Sequence, residues 1–296
     1  MKFPGFWARA DGEAEGRGRE PVVVTVWRWS DTSQAEADAL AREAAQALAE
    51  RVAREGRWPD HYHYADRPLR EEVLQEFADE QGEQTAVISR ASYGSLVLNA
   101  VRVMFVDVDL PPPPRAGCLG ALFAKRKADE QAASWRDEHE KAELARLGQW
   151  LMRNRDWGVR IYRTFAGLRY MVTHAPMAAD TDETRFALTE LNADPLFIKL
   201  CHVQQCFRAR LTPKPWRLAP SSARKLDRPP VRWPYLTEKA EATFRKWREQ
   251  YDGACANHAT CALVGTLGTE TIHPHVAPIV QLHDEMTRVV AALPLA

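Results

Sequence analysis

The feature that most constrains this chain is Val101 to Leu110, V-R-V-M-F-V-D-V-D-L, which runs straight into Pro111-Pro112-Pro113-Pro114. The β-branched and aromatic run Val103 to Val106 suits a buried strand, and consecutive prolines, which lack amide donors, stop it. The strand therefore ends on Asp107 and Asp109. Side chains alternate along a strand, so both carboxylates face the same way at the rim of a sheet. Like charges held that close repel unless a cation lies between them, and oxygen donors of this kind suit Mg2+ or Mn2+. Turn chemistry beside a proline is the plainer account of two such aspartates. An apolar strand that delivers both acids to one rim, where open sheets place their sites, favours a metal or catalytic role.

The chain has 296 residues, 45% of them apolar, enough for one large domain or two small ones with a proper core. Lys plus Arg equal Asp plus Glu at 40 each, so no global positive field points to nucleic acid and any basic patch has to be local. Met1 to Gly18 lacks the apolar run of a signal peptide, and no stretch has the length of a membrane span. A cytoplasmic protein without a membrane partner is expected. Five cysteines in such a chain read as thiols rather than a disulfide framework.

Taken in order, residues 1 to 20 read as a frayed leader, and Pro21 to Trp29 as a strand. Ser33-Gln-Ala-Glu36 has capping-box spacing before an Ala-rich helix that Gly56 ends. Trp58 to Asp66 is aromatic and turn-like, with His61 and His63 at strand spacing, and a short helix is expected from about Pro68 to Phe77. Thr85 to Arg90, then Ser92 to Asn99, then the organising strand follow, with turns at Ser92–Ser95 and Asn99-Ala100. Beyond the prolines lies a loop ending in Lys125, Arg126 and Lys127, most simply solvated. A helix from about Glu130 to Arg153 comes next, with Trp135, Leu144, Leu147 and Leu151 on one face.

Val159 to Thr164 and Leu168 to His174 form a hairpin through Phe165-Ala-Gly167, in which glycine can take a positive φ. Asp180 to Glu183 caps a helix, a helical turn covers Pro195 to Val203, and Cys206 to Thr212 reads as a strand. From Val101 the order is β, α, β, β, α, β. That is the split βαβ arrangement of ferredoxin-like and RNA-recognition-type sheets. The expected fold is α/β in the α+β sense: a βα extension at 1–84 packed on the core, the core at 85–216, and a loop and helical tail at 217–296. Within the tail, Thr237 to Tyr251 and Ile279 to Leu293 read as helices, and Cys261 to Val264 as a short strand.

Basic residues cluster at the sheet ends: Arg163 before the hairpin, Arg169 after it, Arg208 and Arg210 at period two, and Lys214 in T-P-K-P-W-R. Buried arginines need partners, and a triphosphate or a nucleic-acid backbone would supply them; an edge strand guarded by charge is the alternative. Cys255-x-x-His258-x-x-Cys261 with His273 and His275, and Cys201-His202-x-x-x-Cys206, contain zinc-ligand types without finger spacing. His283-Asp284 could pair on the last helix.

These residues carry a family resemblance. The strand M-F-V-D-V-D, the split βαβ order, Thr164-x-x-Gly167-x-Arg169 and a basic strand near Asp194 resemble the catalytic core of archaeo-eukaryotic primase-type polymerases (primase-polymerases) over about Thr85 to Trp216. The resemblance implies that Asp107 and Asp109 bind Mg2+ or Mn2+, with Asp194 as candidate third acid. It also implies that Arg163, Arg169, Arg208, Arg210 and Lys214 handle a nucleoside triphosphate, with a single-stranded or primed nucleic acid as partner. Here Arg169 stands where that family has histidine, which puts catalysis in question. A non-catalytic nucleic-acid-binding or assembly module on the same fold is the alternative.

Gly94-Ser95, an eleven-residue gap and Asp107-Val-Asp109-Leu110 also fit the pattern of polymerase-β-type nucleotidyltransferases. There, however, the gap holds a helix, and here it holds an apolar β run. A D-x-D glycosyltransferase is a further alternative. Haloacid-dehalogenase phosphatases would need Thr or Val where Leu110 stands.

Overall fold

The computed structural model describes residues 1, 3–16, 21–58, 68–113, 124–218 and 226–296. His61 and His63 lie outside them, as do Arg115 to Phe123 and the side chains of Lys125, Arg126 and Lys127. Two compact units divide the chain, Lys2–Glu71 and Glu72–Ala296. The division falls before residue 84, and the segments expected as a tail belong to the larger unit.

In the smaller unit, β1 (Phe6–Glu15) pairs antiparallel with β2 (Pro21–Ser30), and α1 (Gln34–Glu55) packs on both. The expected leader is thus a ten-residue strand. Its Gly- and Glu-rich composition hides it, because it packs against an alanine face: Ala37, Ala41, Ala45 and Ala49 are fully buried. These small side chains let backbones approach so closely that a Cβ on Gly12 would collide with the Ala45 carbonyl. Ser33 caps α1 through the Glu36 amide, and Gly56 closes it in the left-handed region.

The larger unit is α+β, with two four-stranded antiparallel sheets. One has the order β3-β4-β5-β9, from β3 (Glu72–Ala78), β4 (Gln84–Arg90), β5 (Leu96–Ala100) and β9 (Phe207–Arg210). The other has the order β10-β7-β8-β6, from β6 (Phe105–Asp109), β7 (Gly158–Thr164), β8 (Gly167–Val172) and β10 (Cys261–Gly268). Between the strands run α2 (Ala124–Arg153), α3 (Asp182–Glu190), α4 (Pro195–Gln204), a 3-10 turn (Pro215–Arg217) and α5 (Glu238–Cys255), and α6 (Ala277–Thr287) follows the last of them. None of the described helices is long and apolar enough to cross a membrane.

The β, α, β, β, α, β order holds from β6 to β9, with β6 and β7 both pairing β8. The last strand, β9, pairs β5 and lies beside β6, so the sheet of the expected core is divided there. Three local expectations change. Pro68 to Phe77 is not a helix, because pairing with β4 holds β3 extended as an edge strand despite its helix-favouring Glu, Leu and Gln. Asn99-Ala100 is not a turn, because the Asn99 amide is satisfied inside the sheet, Nδ2 donating to Val87 O at 3.0 Å and Ser89 Oγ at 2.9 Å. The stretch from Cys261 continues to Gly268 as a full strand beside β7.

One core joins both sheets: Ile88, Leu98 and Phe207 from one, Phe105, Leu168 and Tyr170 from the other. Leu147, Trp150 and Leu151 of α2 and Leu188 of α3 pack into it. A smaller cluster holds Phe244, Trp247 and Tyr251 of α5 against Leu218. The boundary between β6 and β9 is where the two sheets present polar side chains to each other.

Candidate functional site

Along β6, Val106 and Val108 are buried in the core, so alternation turns Asp107 and Asp109 to the opposite face. Antiparallel pairing then decides what each acid meets on β8. Asp109 lies opposite Gly167, which offers no side chain; its carboxylate is exposed and accepts no hydrogen bond from the described residues. Gly167 does not adopt the positive φ expected of the hairpin glycine. It is required there because a Cβ would strike the Val108 carbonyl, so the hairpin tip presses on the end of β6.

Asp107 lies opposite Arg169 and takes both arms of it, Nε to Oδ1 at 2.7 Å and an Nη to Oδ2 at 3.3 Å. Arg169 is 1% exposed, while the Asp107 side chain keeps 35%. The other Nη of Arg169 donates to the Arg210 carbonyl at 3.0 Å and points at His283 Nε2 at 3.4 Å. Burial opposes the charge on both partners. The pair overrides it: the Asp107 carboxyl is held below its ordinary range by Arg169, with Arg210 adding, and Arg169 is held firmly protonated by Asp107.

A second layer fixes this guanidinium. His283 on α6 is fully buried, and burial drives it down to about 4 against the pull of Asp284, so the ring is neutral near pH 7. Its Nδ1 lies 3.1 Å from Asp284 Oδ1, which makes Nδ1–H the donor to the carboxylate and leaves Nε2 as the acceptor facing Arg169. Asp284 also accepts from Tyr162 Oη at 2.7 Å and from Arg160 at 2.5 Å, while Arg160 Nε donates to Tyr162 Oη at 2.9 Å. Burial raises the Asp284 carboxyl, and these donors more than reverse it. The chain Asp107, Arg169, His283, Asp284, Tyr162 and Arg160 is continuous.

On the far side of Asp107 the cations are left incomplete. Arg208, which shares a face of β9 with Arg210, reaches Asn99 Oδ1 at 2.5 Å and is structural. Arg210 has a buried Nε without a hydrogen-bond partner, and Arg217 a buried Nη in the same state. Between them stands Lys214. Burial and the charges of Arg210 and Arg217 pull Lys214 down to about 8, with Asp109 and Asp107 opposing. Burial and Arg210 likewise pull Arg217 down to about 10, with Asp109 opposing. The segment is anchored from behind, since Ser95 Oγ and Tyr251 Oη both donate to the Pro213 carbonyl at 2.7 Å.

The structure therefore brings together Asp107, Asp109, Arg169, Arg210 and Lys214. Arg163 is elsewhere: it pairs with Leu168 rather than Arg169 in register, turns to the opposite face, and is held by Glu140 of α2 at 2.6 and 2.8 Å. Asp194 is close through its backbone, whose amide lies 3.4 Å from the Asp107 carbonyl. Its side chain caps α4 by accepting the Phe197 amide at 2.9 Å, and so it is not presented as a third ligand. Among the described residues no group of three or more His, Cys, Asp or Glu could hold a metal, and this includes the Cys/His stretches. Cys201, Cys206 and Cys261 are buried. The donors that do fit a divalent cation are the unpaired Asp109 carboxylate and the exposed edge of Asp107, both hard oxygen ligands.

Gly94-Ser95 sits in the β4–β5 turn and leads directly into strand β5, without the helix of a polymerase-β-type site. Sequence reasoning missed Arg217 and the partners Arg160 and Tyr162. T-P-K-P-W-R held the Arg217 signal in plain view, whereas nothing local announces a partner more than a hundred residues away. No protein-family model matches this chain, and neither does any curated protein or solved structure searched.

Proposed function

We propose that the β6–β9 edge binds a nucleoside triphosphate with a divalent metal for nucleotidyl transfer of primase-polymerase type. The observation that carries this reading is the pair of buried, unpartnered guanidinium nitrogens on Arg210 and Arg217, flanking Lys214 beside two carboxylates. Leaving a buried donor unmade costs about 1–3 kcal/mol, and an anion that fills both recovers that cost at one place beside two carboxylates. A polyphosphate fills them. Its oxygens accept from Arg210, Lys214 and Arg217, in the bidentate fashion that guanidinium favours.

Asp109 and the open edge of Asp107 are the residues that would hold Mg2+ or Mn2+. Such an ion would neutralise phosphate charge in the transfer. Arg169 does not move in this scheme; it keeps Asp107 ionised and fixed. A bound strand would supply the attacking 3′-hydroxyl.

The Arg169–Asp107 pairing favours a second reading, a module that binds nucleotide or nucleic acid without chemistry, since it leaves one carboxylate unpaired. Calorimetry with a nucleoside triphosphate, with and without Mn2+, on the wild type and Asp109→Asn separates them. Binding that needs both Mn2+ and Asp109, followed by primer extension, supports transfer. Metal-independent binding that survives Asp109→Asn supports the module. A metal-dependent preference for a nucleotide-sugar would instead indicate glycosyl transfer.

A further inference from the structure

Beside the triphosphate cations lie aromatic rings that neither core cluster uses. Phe165, at the tip of the β7–β8 hairpin, is 39% exposed. Its carbonyl is held by Arg136 at 3.0 Å, and the turn is closed by Thr164 Oγ1 accepting the Gly167 amide at 3.1 Å, so the ring is presented rather than adrift. The Arg217 guanidinium lies over it, 4.2 Å from the ring centre. The preceding residue, Trp216, is half-buried, with Tyr93 of the β4–β5 turn 5.8 Å away and tilted by 59°. Lys214 and Arg228 approach the Trp216 ring at 5.7 and 4.8 Å.

Lys214, Arg217 and Arg228 form no ion pair with the described residues, and none of these three rings belongs to a hydrophobic cluster. Surface rings sandwiched by cations could simply tie loops together. That purpose does not explain three cations without an ion-pair partner among the described residues on a chain of zero net charge. Alternating rings and positive charges are what a single strand of nucleic acid requires: a π-face for each base and a cation for each phosphate. A duplex hides its base faces and gains nothing from the rings.

We propose that Phe165, Tyr93 and Trp216, with Lys214, Arg217 and Arg228, form a binding surface for single-stranded nucleic acid that leads to the end of β6. The proposal rests on the reading of this edge as a nucleotide site and adds the course of the strand. Bases stack on Trp216 and Phe165, and phosphates lie along Arg228, with Arg217 at the junction between the strand and the triphosphate.

The test is fluorescence anisotropy of a labelled single-stranded thymidylate 12-mer at low salt, with calorimetry of a nucleoside triphosphate and Mn2+ in parallel. Trp216→Ala weakens strand binding about tenfold, Trp216→Phe restores most of it, and Phe165→Ala gives an independent loss of several-fold. The matching duplex binds more weakly than the strand. Strand affinity unchanged in both alanine variants, or a duplex bound as tightly, overturns the proposal. An equal loss of triphosphate affinity in Trp216→Ala also overturns it, because the ring would then hold the base of the nucleotide itself. Triphosphate binding without strand binding defeats this proposal alone. Strand binding without triphosphate binding supports it and defeats the nucleotide reading.

Discussion

Two groups of arginines flank Asp107, and they differ in whether their hydrogen bonds are complete. Arg169 is buried and satisfied, with a carboxylate on two donors and a carbonyl and a neutral imidazole on a third. Arg210 and Arg217 each carry a buried nitrogen that nothing fills, and their charges and that of Lys214 repel one another. The same residue type thus does opposite work a few ångströms apart. Where the fold supplies every acceptor, the arginine is part of the structure; where it withholds them at this edge, the proposal places an anion.

The largest effect that would break this distinction is on stability. Arg169→Ala leaves Asp107 facing a neutral hole and orphans His283; because the Asp107 side chain keeps 35% exposure, the cost is about 2–3 kcal/mol, below that of a fully buried pair. Urea unfolding should show a loss of that size, and a loss below about 1 kcal/mol would mean that the pair is not the anchor described. Arg210→Ala or Arg217→Ala should unfold at the wild-type midpoint or above it, because each removes an unsatisfied charge.

His283 sharpens the contrast through pH. Its ordinary value is 6.5 and its folded value about 4, so as pH falls the unfolded chain takes up this proton first. The stabilisation is complete above 6.5 and drains away towards 4, by on the order of 2 kcal/mol between pH 6.5 and 5. Asp107 and Asp284, both held below the ordinary carboxyl range, lose their contributions only in more acid solution. Melting curves of His283→Gln should show a clearly shallower decline between pH 6.5 and 5, the remainder coming from His174, which burial also lowers; an unchanged slope would assign it to other groups.

Ligand affinity gives the next effect. Arg217→Ala should weaken triphosphate binding about tenfold, the scale of one lost charge-assisted hydrogen bond, with stability unimpaired. Smaller still is the pH dependence of Lys214. The free site has this amine at about 8, so its charge is present at pH 7 and fades above 8. Triphosphate affinity should fall several-fold from pH 7.5 to 9 by calorimetry, and Lys214→Met should flatten that fall.

Much of this arrangement was legible in the sequence. M-F-V-D-V-D between apolar residues and prolines could be little else than a strand ending on acids, and period two put Asp107 and Asp109 on one face. The capped helices α1 and α3 were also legible, since Ser33 and Thr181 act within three residues of themselves. The direction of Arg163 was readable in principle, because a two-residue hairpin pairs it with Leu168 and sends it away from Arg169. What local pattern could not show was β1, whose core contacts are alanines, or the role of His283, whose acceptor position depends on Arg169 114 residues earlier. Whether a buried cation is satisfied is a tertiary fact, and so the division between Arg169 and Arg210 was invisible to composition and period alike.

The most direct test of that division is a thermal titration with inorganic triphosphate, on the wild type and Arg210→Ala. The Arg210 carbonyl that receives Arg169 belongs to the backbone, so this variant keeps that hydrogen bond and removes the unsatisfied guanidinium, at the cost of its minor charge contribution to Asp107. A ligand that binds only the folded state raises the midpoint with concentration. The wild type should rise steadily, while Arg210→Ala should start at or above the wild-type midpoint and rise far less. A wild type that ignores triphosphate, or a variant that starts several degrees lower and still responds equally, would contradict the account.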